Sequence, residues 1–318
     1  MSFVRALLCA GVVGGLALVA WRGDSYAISL MIIVGIQTIV TAGLTLLLGF
    51  AGQISLAQAA FYALGAYGSM IGTLRFGWNP WLALVAAAIV AGLIALLIGV
   101  PTLRLHGHYL ALATLGFGII VNIVLVQEGE VTGGPTGVSG IPRLALGPIA
   151  LGSDRAYFVL VWVVTLAVLL ACWLLVKGSS YGRVLRALQA SEVATASVGI
   201  DVARYKIQVF VLTAVLASLG GSLYAHYLTV LAPSEFGFDA SIEFLVMAVI
   251  GGLGSVWGAL AGVLGVTLLL EGLRTVAPLV APNTPTSEYE VIAFGGLLVI
   301  TLLFFPEGLM GRWSKGAG

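Results

Sequence analysis

Long apolar runs, repeated nearly end to end, constrain this chain more than any other feature. An α-helix of roughly 20 apolar residues crosses about 30 Å of hydrocarbon, and inside lipid only a helix satisfies its own backbone hydrogen bonds without a closed barrel. Read between charges and turn residues, such runs fall at about 3–21, 27–48, 53–74, 81–103, 108–126, 155–177, 207–230, 241–253, 256–274 and 289–306. The eighth is short, so ten is an upper count. The expected fold is all-α, a polytopic transmembrane helical bundle of about 8–10 spans, forming one membrane domain over residues 1–318. Only 8% of the residues are charged against 60% hydrophobic, whereas a soluble domain carries about 25% charged residues. The solvent is therefore a lipid membrane. Residues 3–20 read as a span and not a cleaved leader, because the apolar run exceeds the usual leader core and Leu18 spoils a small-x-small pattern at Ala20.

The distribution of basic residues sets the expected orientation. With the N-terminus inside, nine of the fourteen Lys and Arg fall on the inner side: Arg5, Arg104, Lys177, Arg183, Arg186, Arg204, Lys206, Arg312 and Lys315. This is the positive-inside bias, and it puts both termini in the cytoplasm. Trp21, Trp78, Trp81, Trp162, Trp173 and Trp313 lie near proposed helix ends or within about two turns of them, broadly as an interfacial belt has it. A net charge of +1 with no basic run excludes a nucleic-acid partner. Cys9 and Cys172 are isolated in apolar runs, so neither a disulfide framework nor a metal site is expected.

Two connections are long, 127–154 outside and 178–206 inside, and neither suffices for an independent domain. No Gly-x-x-x-x-Gly-Lys-Ser/Thr loop, His-Glu-x-x-His or Gly-x-Ser-x-Gly occurs, so this chain is not expected to be an enzyme. Within the inner connection, Arg183 to Val198 has an amphipathic helical pattern, with Val184, Leu185, Leu188 and Val193 as the apolar stripe and Arg183, Arg186 and Glu192 facing away. Gly199 suits the left-handed position that ends a helix, and Asp201 suits the cap of the next. A rigid helix-turn-helix of this kind suits contact with a partner; a basic loop that only fixes topology is the alternative.

Glycines mark two further regions. GFAGQISLAQAAFYALGAYGSMIG (49–72) and GGLGSVWGALAGVLG (251–265) each open with Gly-x-x-Gly and then space small residues four apart. Small faces let helices approach closely; broken helices lining a binding site or pathway also use such segments. Glu243, Glu271 and His226 are expected near helix ends, so relays for a coupled ion are missing from the interior. Neutral groups are present instead: Gln53, Ser55 and Gln58 form a dense cluster, with Thr114 and Asn122 as further candidates for the wall of a translocation path. Amides and hydroxyls suit a neutral or zwitterionic solute.

Four stretches, GFAGQISLAQAAFYALGAYGSM, TGGPTGVSGIPR, SSYGRVLRALQASEVATASVGID with the following Lys206, and PSEFGFDASIEFLVMAVIGGLGSVWGALAG, occur in this order between residues 49 and 262. Together with the terminal FFPEGLMG they resemble the LivM-type permease of branched-chain amino-acid ABC importers. The resemblance implies an ABC importer permease fold in which residues 178–206 are a cytoplasmic coupling loop of EAA type. Glu192, Ala196 and Gly199 match that motif's positions, with Tyr181, Gly182, Arg183 and Arg186 leading into it; Val193 and Ala194 depart from its double alanine. It further implies a LivH-type second permease, two cytoplasmic ATPase subunits that bind ATP and Mg, an extracytoplasmic solute-binding protein and the bacterial inner membrane. No cofactor is expected in this chain itself. The implied solute is a branched-chain amino acid. Urea or a short amide, carried by the same family, is the nearest alternative, and a secondary carrier or channel the more distant one.

Overall fold

The computed structural model describes residues 24–102, 108–146, 149–150, 152–280 and 296. The expected spans at 3–21 and 289–306, with Arg5, Arg104, Arg312, Lys315, Trp21, Trp313 and FFPEGLMG, lie outside the described residues. Among those described, eight long elements match the eight remaining apolar runs. They are α1 (Ser25–Thr45, continued by a π turn at Leu46–Phe50), α2 (Gln58–Leu74), α3 (Pro80–Thr102), α4 (His108–Gln127), α5 (Asp154–Gly178), α8 (Val202–Leu228), α9 (Phe238–Gly251) and α10 (Gly258–Val280). Two short helices, α6 (Ser180–Ala190) and α7 (Glu192–Ser197), join α5 to α8. Among the described residues, five segments are long and apolar enough to cross a membrane: Ser25–Phe50, Pro80–Thr102, His108–Gln127, Asp154–Gly178 and Val202–Leu228.

The helix starts follow from local chemistry. Pro80 opens α3, where a missing N–H costs nothing, and Asn79 Oδ1 accepts the Trp81 N–H at 3.0 Å. Ser153 caps α5 through the Ala156 N–H at 3.3 Å, with Asp154 in the first turn and Lys177 in the last, both favoured by the helix dipole. At the far end of α8, Thr229 adopts the left-handed conformation and stops the helix.

The core forms where α8 lies against α1, α2 and α3, and where α1 also meets α5, α9 and α10. The α2–α8 approach is close enough that a Cβ on Gly65 would strike the Ser218 carbonyl, and one on Gly221 the Tyr62 carbonyl. Ser222 Oγ donates across the same contact to the Gly65 carbonyl at 3.0 Å. Small residues here do the packing work expected in lipid, where no water is left to drive helices together. By contrast α3, α4 and α5 leave Leu93, Leu97, Ile120 and Val163 exposed, as lipid-facing surfaces do.

At one end of the bundle the 127–154 connection is tied down. Val138–Ser139 (β1) pairs antiparallel with Val230–Leu231 (β4), in the register Val138↔Leu231, and Ala145–Leu146 (β2) pairs with Ile149–Ala150 (β3). His226, expected near a helix end, lies within a turn of the end of α8 but is fully buried; its Nδ1 donates to the Pro142 carbonyl at 2.6 Å, which leaves Nε2 to accept from Ser69 Oγ at 2.6 Å. Trp162 lies about two turns inside α5, as allowed, but it departs from a belt position by being buried in the α1–α5 contact beside Gly35.

Candidate functional site

The stretch expected to be one amphipathic helix over Arg183 to Val198 is two. Ser191 takes an extended conformation that ends α6, and its Oγ then accepts the Ala194 N–H at 3.2 Å to begin α7. Leu185 and Leu188 are buried and Val184 half-buried as the stripe requires, but Val193 is 82% exposed. Its place in the stripe is lost because the turn at Ser191 resets the helical phase. Val198, at the other end of α7, is 74% exposed. Arg183, Arg186, Ala196 and Gly199 are also exposed, while Tyr181 and Glu192 are half-buried.

Several contacts fix this element against the bundle. Ser179 Oγ donates to the Leu175 carbonyl at 2.6 Å and accepts the Gly182 N–H at 3.2 Å, closing α5 and opening α6 with one side chain. Gly182 is required there, since a Cβ would strike the Val176 carbonyl. Arg186 Nη1 donates to that same carbonyl at 3.2 Å. Gly199 has φ +82°, in the left-handed region expected of it, and Asp201 Oδ1 accepts the Arg204 N–H at 3.1 Å as the α8 cap. The buried Lys206 ammonium pairs with the Glu192 carboxylate. Sequence reasoning noted Lys206 only as a basic residue, although a Lys one turn inside an apolar helix could have signalled a partner. Tyr181 stacks on Tyr205 at 5.2 Å between ring centres, and burial, with Tyr205 adding to it, pushes the Tyr181 hydroxyl up to about 12. These rings, with Gly199, Asp201, Arg204 and Gln208, border an open cleft of about 520 Å³.

Directly above α6 lies the first helix break. The expected helix start at residue 53 is wrong: after the π turn the chain runs without helix through 52–57, and α2 begins at Gln58. A Cβ on Gly52 would rest on Gln189 of α6. The second glycine segment is also a break, with α9 ending at Gly251 and α10 starting at Gly258. The π turn that leads into the first break touches the second, because a Cβ on Gly49 would strike the Leu253 carbonyl. Nothing in the sequence announced that contact; it needs the three-dimensional packing of α1 against α9 and α10.

The polar candidates separate by what they bond. Thr114 Oγ1 accepts the Leu56 N–H at 3.0 Å and donates to the Ala111 carbonyl at 3.0 Å, so it holds the non-helical segment against α4. Asn122 Nδ2 donates to the Pro233 carbonyl at 3.1 Å and so ties α4 to the turn ahead of α9. Ser55 Oγ accepts the Ala57 N–H at 3.3 Å. Gln53, Ser55 and Gln58 are all buried, and neither side-chain atom of Gln53, nor Gln58 Oε1, finds a hydrogen-bond partner among the described residues.

Glu243 is a further correction. It lies near the start of α9 as expected, sixth of its 14 residues, but not at an interface: Gln37 Nε2 donates to its Oε1 at 3.4 Å, and Gln37 is thirteenth of the 26 residues in Ser25–Phe50. Glu271, expected near a helix end, is fourteenth of the 23 residues of α10, because that helix continues to Val280; it accepts from the exposed Tyr26 hydroxyl at 2.7 Å beside the start of α1. Glu235, in the turn Pro233–Phe236 ahead of α9, has its carboxyl raised by partial burial, against which the hydrogen bond from Tyr224 works.

Residues 26–302 match the family model described as the branched-chain amino acid transport system permease component. The chain belongs to this permease family. It is 31% identical over 298 residues to the high-affinity branched-chain amino acid transport permease LivM of Escherichia coli K12, covering 86% of this chain and 68% of the relative. It is 28% identical to LivH of Salmonella typhimurium and 28% identical to BraD of Pseudomonas aeruginosa, each covering 86% of this chain and 91% of the relative. No solved structure matches. The permease is thus a multi-pass membrane protein and a transport subunit, which removes the secondary carrier and channel readings.

Proposed function

We propose that this permease is the LivM-type half of an ATP-driven importer of branched-chain amino acids, seated in the bacterial cytoplasmic membrane with both termini inside. A LivH-type permease completes the passage, two ABC ATPase subunits bind ATP and Mg and drive it, and an extracytoplasmic binding protein delivers the solute. No cofactor belongs to this chain. That its relatives are branched-chain amino acid transport permeases supports the solute class.

The observation that carries the coupling role is α7. A helix of six residues outside the apolar spans exposes Val193, and the cap that follows it exposes Val198, yet the helix is anchored beneath by the Glu192–Lys206 pair and by α6. An exposed apolar surface on a braced helix is how a docking face looks. A loop that only fixed topology would need neither. Force applied to α6 reaches Gly52 directly, and through Gly49 the second break, so docking and passage are one packed unit. Gln53, Ser55 and Gln58 then form the end of the passage nearest the ATPase, while Thr114 and Asn122 hold its frame.

Val193→Glu tests this reading. The variant is expected to insert and pair with the second permease normally, while ATPase co-purification and leucine uptake both fall. Unchanged ATPase binding would refute the docking assignment.

A further inference from the structure

A carboxylate at mid-depth on a face that is not sealed has to be explained. Glu243 meets Gln37 at the middle of the Ser25–Phe50 segment, and both side chains remain partly exposed on the surface of this chain. Facing lipid, an acid at the centre of the bilayer costs about 2.5–3.5 kcal/mol even on the mildest scale, so such residues normally face a partner or a water-filled passage.

The surroundings say which. Tyr62 of α2 packs against Tyr224 of α8 at 5.5 Å, against Phe236 at 5.4 Å and against Phe244 of α9 at 5.5 Å. Tyr224 donates to Glu235 Oε2 at 3.3 Å, and both carboxylates, Glu235 and Glu243, act electrostatically on Tyr62 and on Tyr224. Tyr67, 2% exposed, lies edge-on to Phe236 at 5.7 Å within electrostatic reach of Glu235, and its buried hydroxyl has no hydrogen-bond partner among the described residues. Two acids among aromatic rings make a site for an organic ammonium, which gains from carboxylate and ring face together. A bare metal ion would need more ligands: no group of three His, Cys, Asp or Glu able to hold one occurs among the described residues.

We infer that Glu243 and Glu235, with Gln37 and Tyr224 and backed by the buried rings of Tyr62 and Tyr67, form the wall of a water-filled passage that recognises the α-ammonium group of an amino-acid solute as it leaves the binding protein. The inference rests on the amino-acid reading above. It also divides the labour along the path: charge recognition in the outer and middle part, neutral amides beyond it.

The test uses the whole transporter in proteoliposomes with its binding protein, and radiolabelled L-leucine as the probe. Glu243→Gln should lower uptake about tenfold, the order expected from losing one charge-assisted contact, with subunit yield and binding-protein-stimulated ATP hydrolysis retained. Glu243→Asp should recover much of the uptake, which a loss of packing volume would not allow. Independently of uptake, Tyr224→Cys should react with a cationic, impermeant thiol reagent added on the binding-protein side. Wild-type uptake in both Glu243→Gln and Glu235→Gln, or an unreactive Tyr224→Cys in the assembled transporter, overturns this inference alone. A wild-type transporter that assembles and hydrolyses ATP but carries no leucine overturns the solute reading, and this inference with it.

Discussion

Replacing Gln53 by Leu separates a path-lining amide from a packing one. Gln53 is 2% exposed, and neither its Nε2 nor its Oε1 has a hydrogen-bond partner among the described residues. A buried polar group left unsatisfied costs about 1–3 kcal/mol, so an amide with two such atoms burdens the resting fold by roughly 2–6 kcal/mol. Leucine of similar size removes that burden. The melting temperature of the purified transporter should therefore hold or rise in Gln53→Leu, while leucine uptake falls. Ser55→Leu should behave otherwise, because it deletes the acceptor for the Ala57 N–H and adds volume to a buried site. Gln58→Leu falls between, with one unpartnered oxygen to relieve. Intrinsic fluorescence melting and vesicle uptake, measured on the same preparations, give the two numbers. A fall in stability parallel to the fall in uptake for Gln53→Leu would refute the reasoning, since it would mean the amide is bonded and structural.

Three other outcomes are expected. Gly199→Val should uncouple uptake from ATP hydrolysis through backbone strain alone, since φ is +82° and a Cβ meets nothing within 4 Å, whereas Gly199→Asn should be tolerated because Asn accepts the left-handed region; equal loss in both would point to the side chain instead. Glu192→Ala should lower the melting temperature more than Lys206→Met, because it strands a buried ammonium where Lys206→Met removes the charge itself; breaking a buried pair costs about 3–5 kcal/mol, and Glu192, 40% exposed in its side chain, brings that down. A cysteine at the exposed Ser139 should react with an impermeant reagent from outside and one at the exposed Ser180 only after the membrane is opened; the reverse pattern would overturn the orientation and the docking role with it.

Apolar run length made the spans legible, but it reports neither where a helix breaks nor how deep a residue lies. Ile54 and Leu56 kept the hydrophobic run going through 52–57, so the segment read as helix although its backbone is not. The depth of Glu243 was misjudged for a related reason. Its distance from a helix end in sequence is small, but α9 is only 14 residues long and lies against the middle of α1. In the connection between α5 and α8, Gly199 and Asp201 announced themselves through special backbone and capping chemistry, which is local. The break at Ser191 was local too, a Ser cap followed by Glu, but a continuous apolar pattern masked it. Contacts between Gly49 and Leu253 or between Glu192 and Lys206 depend on tertiary placement, and no periodicity carries that information.

Residue type alone did not distinguish functional polar groups from structural ones, and hydrogen-bond accounting does so only together with backbone state. Thr38 and Thr45 donate to carbonyls four residues back, at 2.7 and 2.8 Å, and so cost their helices little. Thr114 and Asn122 bond to other segments and brace them. Among the buried atoms left unpartnered, Trp162 Nε1 and Ser218 Oγ belong to regular helices, pressed against Gly35 and Gly65 where close approach of two helices leaves no room for an acceptor. Their cost is repaid by the packing that creates it. Gln53 has no such compensation: its backbone is outside any helix, in a break that rests on α6 at Gly52. Among the described residues with unpartnered buried atoms, Gln53 is the one whose own backbone lies outside any helix, and that difference, more than burial or composition, is why Gln53→Leu is the informative test.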